Sequence, residues 1–186
     1  MKCDIDFNGL RDRAFATAKA HGWHDQELSD NHWRMMVITE VSEAVEADRK
    51  GRHADLGKFL TNASKGDCPW NVDFEIFIKN SVEDELCDVV IRCLDLGGLR
   101  GIDFDRTNKM LKKLKLRDVP CAFTEIMFDI CGVLTNGFYN LSYVLCLTIA
   151  AVIAYCDSKG IDIEWFINQK MKYNEMRSFK HGGKSY

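Results

Sequence analysis

Apolar residues recur at intervals of three and four along most of this chain, which is the spacing of one face of an α-helix. This pattern, with stop signals such as Gly22, Gly51 and Gly97-Gly98, predicts an all-α helical bundle of about five to seven helices. The predicted helices cover about residues 6–21, 31–50, 81–96, 107–116, 122–136, 139–158 and 162–179. A chain of 186 residues with 46% apolar content can bury one good core or at most two small ones. We expect a single domain over residues 1–186.

Residues 52–80 interrupt the regular pattern. They combine Lys65-Gly66-Asp67 and Pro69-Trp70 with a short apolar run at 74–78. We predict an irregular insertion here, between two helices. The insertion could close over a site as a lid or simply pack against the bundle, and the second interpretation is favoured. Residues suited to capping a helix start precede both flanking helices. They are Ser29 or Asp30 before the helix at 31–50, and Ser81 before the helix at 81–96.

Charge and hydropathy bear on whether the protein binds nucleic acid or a membrane. The net charge is −3 and the pI is near 6.0, which argues against a nucleic-acid-binding surface as the main purpose. The longest apolar run, Tyr143 to Cys156, spans 14 residues and is interrupted only by Thr148. A membrane span needs roughly 20 residues. We therefore expect no membrane partner, and interpret the run as a buried helix in the bundle core or at a subunit contact.

The eight cysteines are scattered and form no C-x-x-C pair. Most of them lie within apolar helical patterns, where a free cysteine behaves as a small hydrophobic residue. The sequence opens with Met1-Lys2-Cys3-Asp4 and leads straight into a charged helix, which predicts no signal peptide. A reduced, cytoplasmic setting with structural thiols is therefore the favoured interpretation.

Two acidic pairs carry the sharpest chemical signal. Glu40 and Glu43 are three residues apart on one predicted helix, and Glu85 and Asp88 repeat this spacing on another. On a helical wheel, Glu40 falls inside the apolar arc and Glu43 at its border, whereas Glu46 falls on the polar side. Carboxylates against apolar surface need a partner, and a hard cation suits them best. If the two helices pack side by side, four carboxylates can converge on one point.

The pattern Glu40-x-x-Glu43 followed by Glu85-x-x-Asp88 resembles the metal motif of the all-α nucleoside triphosphate pyrophosphohydrolases, which include the MazG-like proteins and the dimeric dUTPases. Blocks 40–49, 84–92 and 170–177 with 181–184 are similar to MazG-like proteins in this order. The resemblance implies Mg²⁺, or Mn²⁺ in its place, held by the four acids as metal-binding and catalytic residues. It also implies a nucleoside triphosphate substrate cleaved to monophosphate and pyrophosphate, and a homo-oligomer such as a dimer.

Two departures from the family pattern concern assembly. The gap between the acidic pairs is longer than in compact members, which fits an insertion at 52–80. A long apolar hairpin also precedes the terminal block. This hairpin could complete within one chain a bundle that shorter relatives complete by association.

Candidate substrate-binding residues lie mainly on the last helix. Lys170, Asn174 and Arg177 share one face, and Lys184 extends the basic group into the tail. By residues alone this face could equally be solvated, with its cations near a helix C-terminus; the resemblance favours contacts with phosphates.

Two further candidates come from the acidic helices themselves. Arg92 could reach the nucleotide or form an intrahelical salt bridge with Asp88, and the spacing fits both. Trp33 could stack on a base, although buried aromatic residues more often belong to the core.

Two other classes of protein fit part of the pattern. A carboxylate-bridged di-iron bundle normally needs Glu-x-x-His pairs, and no histidine follows any of the four acids at that spacing. A non-catalytic nucleotide-binding or assembly module that retains the fold is the main alternative. The presence of all four acids counts against it.

Overall fold

The computed structural model describes residues 4–66, 68–114 and 122–180 of the chain. Over these residues the protein is all-helical, which confirms the predicted fold class. The helices are α1 (Phe7–Ala20), α2 (Asp30–Arg49), α3 (Leu56–Lys65), α4 (Trp70–Phe77), α5 (Val82–Leu99), α6 (Asp105–Lys113), α7 (Phe123–Thr135), α8 (Leu141–Ser158) and α9 (Ile163–Glu175). The described residues thus form nine helices, more than the five to seven predicted, because the segment at 52–80 contains two of them.

Helix α5 is the centre of the bundle. Twelve of its 18 residues are buried, and it packs against α1, α2, α8 and α9. Helix α2 runs antiparallel to it, since Arg100 just after α5 donates from Nε to Oδ1 of Asp30 at the start of α2, at 2.7 Å. A helix surrounded by neighbours must be apolar on most of its surface. The charged residues that α5 nevertheless buries therefore need specific partners.

The prediction that the second acidic helix ends at Gly97-Gly98 is wrong. Helix α5 continues to Leu99, and a glycine with positive φ, Gly101, follows its end. A Cβ on Gly97 would lie 2.3 Å from the ring of Phe104, and one on Gly98 would lie 2.5 Å from Cβ of Phe15. These two glycines allow neighbouring phenylalanine side chains to pack closely against α5, and they do not end the helix.

The prediction of an irregular segment at 52–80 is also wrong, because α3 and α4 occupy much of it. Their aromatic residues join them to α9: Trp70 stacks on Phe74 with ring centroids 5.3 Å apart, and Phe74 stacks on Tyr173 at 4.7 Å. Phe59 and Phe74 are fully buried. The segment therefore packs against the bundle, as the favoured interpretation expected.

Helices α7 and α8 form the long apolar hairpin. The apolar run extends into an 18-residue helix, Leu141–Ser158, with a mean hydropathy of 1.7. Among the described residues, it is the helix whose length and composition would suffice to cross a membrane, and 56% of it is buried within the protein. It packs against α5, α6 and α7, and even Thr148 at its centre is fully buried. These contacts are those of a core helix.

The described cysteines are free thiols. Cys87 and Cys93 on α5 and Cys146 and Cys156 on α8 are buried within the core. Burial raises the pKa of the Cys93 thiol well above its ordinary value, so it stays protonated. Their packing is that of small apolar side chains.

Candidate metal centre

The start of α5 is fixed by a side-chain cap. Ser81 is the N-cap, and its hydroxyl accepts from the backbone N–H of Asp84 at 3.2 Å. The Asp84 carboxylate reaches back past the cap and accepts from the N–H of Asn80 at 2.9 Å. Asn80 adopts a φ of 59°, in the left-handed region that asparagine tolerates better than most residues. This cap sets the rotation of the first turn, and with it the direction in which Glu85 points.

Three of the four predicted carboxylates converge. Oxygen atoms of Glu40, Glu43 and Glu85 lie within 4.8 Å of one another, so that two antiparallel helices contribute to one acidic cluster. The side chains of Glu40 and Glu85 are buried, at 6% and 4% exposed, whereas Glu43 is exposed to solvent. Glu46 lies on the solvent side of α2, where it pairs with Lys50 at 3.0 Å. The burial of the acids on α2 thus follows the helical wheel.

The two buried carboxyl groups of the cluster resist ionisation. Burial, the Asp88 charge and the Glu43 charge raise the pKa of Glu40 to about 7, although Arg92 opposes them. Burial, Asp88 and Asp84 raise the pKa of Glu85 to about 8. Like-charged oxygens in a low-dielectric site resist ionisation unless a cation joins them. A carboxylate-only donor set, partly buried and exposed at Glu43, could hold a hard divalent cation.

Arg92 faces the cluster from α5. Its Nε donates to Oε1 of Glu40 on α2, so its ion pair crosses between the helices instead of following the intrahelical spacing to Asp88. Its side chain is 41% exposed. Contact with a nucleotide stays a prediction for this residue.

Asp88 lies beside the cluster and is held by α9. The ammonium of Lys170 is 2.8 Å from Oδ2 of Asp88 and 2.7 Å from Oδ2 of Asp84. Burial alone would lower the pKa of Lys170, but the charges of Asp88 and Asp84 raise it above its ordinary value, so the ammonium stays charged. Lys170 is 4% exposed. Its contact with phosphates stays a prediction, and this burial favours another role.

The remaining predicted residues make other contacts or lie outside the described part of the chain. Asn174 is half-buried, and its Oδ1 is a buried acceptor without a hydrogen-bond partner among the described residues. Arg177 is half-buried, with its guanidinium 6.0 Å from the centre of the Tyr173 ring. Trp33 is buried against His24, with ring centroids 5.2 Å apart, which favours the core interpretation. Lys184 lies outside the described residues.

Sequence reasoning missed the part that Asp84 plays in this centre. It lies three residues after the N-cap Ser81, and its carboxylate accepts a hydrogen bond from the backbone N–H of Asn80 at the helix start. It also forms the buried ion pair with Lys170, which lies 86 residues away along the chain. Only the packing of α9 against α5 brings these two side chains together. A signal was nevertheless present, since apolar Val82 and Leu86 lie on either side of Asp84, and an acid among apolar residues needs a partner.

A separate cavity of about 390 Å³ lies next to the first turn of α5 and the end of α2. Its walls include Asp48, His53, Glu83, Tyr155 and Lys159. The carboxylates of Glu40, Glu43, Glu85 and Asp88 are not among its described lining residues. The cavity and the acidic cluster are therefore different places on the molecule.

No family model, curated protein or solved structure matches this chain. The similarity to MazG-like proteins therefore rests on the motif residues alone and stays a prediction.

Proposed function

We propose that this chain hydrolyses a nucleoside or deoxynucleoside triphosphate to the monophosphate and pyrophosphate, with Mg²⁺ or Mn²⁺ as cofactor. The observation that carries the proposal is the convergence of Glu40, Glu43 and Glu85 within 4.8 Å across two helices. Divalent cations in phosphate-processing sites are commonly shared between protein carboxylates and substrate phosphates. The three acids would hold the cation, and Asp88 stands next to them.

Other described residues have side chains that suit the remaining needs of the reaction. A divalent cation bound there would neutralise phosphate charge and lower the pKa of the attacking water. One of the neighbouring carboxylates would accept the proton of that water. The exposed part of Arg92 and the guanidinium of Arg177 would stabilise charge on the departing pyrophosphate, and Asn174 offers a buried acceptor for a sugar or water.

The test is pyrophosphate release from a panel of standard and modified nucleoside triphosphates with Mg²⁺ or Mn²⁺. Glu43→Gln is the informative variant, because this acid is exposed and its amide should not disturb folding. We expect a loss of at least about 100-fold in kcat/KM, since a metal ion supplies several kcal/mol of transition-state stabilisation. Glu46→Gln, one turn further along the same helix and exposed, is the matched control and should retain full activity.

The alternative gives a different result in the same assay. A non-catalytic nucleotide-binding or assembly module would release no pyrophosphate from any nucleotide of the panel, whichever cation is present. If such a protein still binds a triphosphate analogue, the hydrolase proposal is wrong and the binding module is correct.

Self-association is part of the proposal. Two phenylalanines around the α7 and α8 hairpin are exposed, Phe128 at 77% and Phe138 at 97%. Exposed large apolar side chains often mark surfaces at which protein molecules associate. We expect a homodimer by light scattering, and a double Phe128→Ser, Phe138→Ser variant that elutes as a monomer. A monomeric wild-type protein would contradict this part alone.

A further inference from the structure

Lys170 bridges two acids on one helix from a position on another. Its Nζ is hydrogen-bonded to Oδ2 of Asp84 at 2.7 Å and ion-paired with Oδ2 of Asp88 at 2.8 Å. The two acids are one helical turn apart on α5, and Lys170 enters between them from α9. Because the ammonium is buried, a phosphate could use it only by displacing at least one of these carboxylates.

The two acids that Lys170 contacts are not equivalent. Asp84 is 1% exposed and is also fixed by the N–H of Asn80, so it anchors the ammonium from the buried side. The Asp88 side chain is 21% exposed and belongs to the same helix face as Glu85, three residues earlier. The bridge engages Asp88 through Oδ2, and its second oxygen takes no part in this contact. The ammonium thus fixes the direction of the Asp88 carboxylate through one of its two oxygens.

We propose that Lys170 is a positioning residue that orients Asp88 as the fourth carboxylate of the metal centre. The inference rests on the proposed function for the existence of that centre. Carboxylates that ligate metals are themselves hydrogen-bonded by neighbouring groups, and loss of such a neighbour typically costs about 10–100-fold in metal affinity. The role differs from a phosphate contact, because Lys170 acts through Asp88 and makes no contact with the substrate.

Three variants of the full chain separate this role from simple stabilisation. Lys170→Met leaves Asp84 buried without its partner and should lower Tm by about 10 °C. Adding Asp84→Asn removes both charges of the buried pair and keeps an oxygen for the Asn80 N–H, so Tm should largely recover. Lys172→Met is the control, since Lys172 is an exposed lysine of the same helix that lies over the Trp70 ring.

The deciding measurement is the affinity for Mn²⁺ alone, by calorimetry without nucleotide. We expect Lys170→Met to bind Mn²⁺ about 10–100-fold more weakly than wild type, and the double variant to stay equally weak although its Tm has recovered. The control should match wild type in both measurements. Recovery of affinity together with Tm in the double variant would overturn the proposal, because Lys170 would then be only structural.

Two other results would also overturn it. One is unchanged Mn²⁺ affinity in Lys170→Met with a raised KM for the triphosphate, which is the signature of a direct phosphate contact. The other is a wild-type protein that binds no divalent cation. Pyrophosphate release is measured separately, and its absence in wild type would refute the hydrolase proposal alone, since the Mn²⁺ affinities decide the role of Lys170 independently.

Discussion

Replacement of Glu85 by glutamine should make the metal-free protein more stable at alkaline pH. Burial and the charges of Asp88 and Asp84 raise the pKa of Glu85 from 4.5 to about 8. A carboxyl group whose pKa is higher in the folded than in the unfolded protein binds its proton more tightly when folded. Its contribution to stability is complete below the unfolded value of 4.5 and is lost as the pH rises through about 8. Glutamine is uncharged both in acid and at about pH 8, so the variant lacks this pH dependence.

The size of the effect follows from the same pKa values. A difference of one between folded and unfolded pKa corresponds to about 1.4 kcal/mol. Water reaches the cluster at the exposed Glu43 and screens part of the repulsion. Between about pH 5 and pH 8, we therefore expect the free energy of unfolding to fall by about 2–3 kcal/mol more for wild type than for Glu85→Gln. For a chain of 186 residues, the Tm of wild type should therefore fall by about 5–10 °C more than the Tm of Glu85→Gln over this pH range.

The assay is thermal unfolding followed by circular dichroism at several pH values, with and without saturating Mg²⁺. Protons and the cation compete for the same oxygens, so Mg²⁺ should raise the Tm of wild type strongly at about pH 8 and little at about pH 5. Glu85→Gln should respond weakly to Mg²⁺ at both. Glu46→Gln, at an exposed site outside the cluster, should follow wild type throughout.

Two outcomes would refute this reasoning. One is a Tm profile of Glu85→Gln that runs parallel to wild type over the whole pH range without metal. The other is a variant less stable than wild type at about pH 8, because the ionised Glu85 would then be a favourable group in the folded protein and not a repelled one.

Four further substitutions test other parts of the structure. Gly97→Ala should cost about 1–3 kcal/mol in denaturant unfolding, since a methyl group there would lie 2.3 Å from a phenylalanine ring, whereas Gly132→Ala on an open helix face should stabilise by about 0.5–1 kcal/mol. Arg92→Gln should cost about 1–2 kcal/mol at neutral pH and less in acid, because it removes the ion partner of the buried Glu40; equal losses at both pH values would contradict this. Trp33→Phe should lower Tm but leave calorimetric affinity for a triphosphate analogue unchanged, since the indole is buried.

Much of the fold was predictable because it depends on local periodicity. The three- and four-residue spacing of apolar positions identified seven of the nine described helices, and the wheel placed Glu40 inside and Glu46 outside on α2. The errors have physical causes. Gly97 and Gly98 looked like a helix stop, yet neighbouring phenylalanine rings occupy the space that side chains would take. Helices α3 and α4 are short, and they are held by aromatic contacts with α9 that no local pattern contains.

The candidate site divides in the same way. The sequence by itself determined which acids lie on which helix and which of them face the core, because the helical repeat fixes these directions. Only the tertiary structure decided that Glu40, Glu43 and Glu85 meet, that Arg92 pairs across to α2, and that Lys170 is buried between acids of α5. These pairings depend on how α2 and α9 pack against α5. Such packing is a property of the whole core, and residue spacing within one helix carries no record of it.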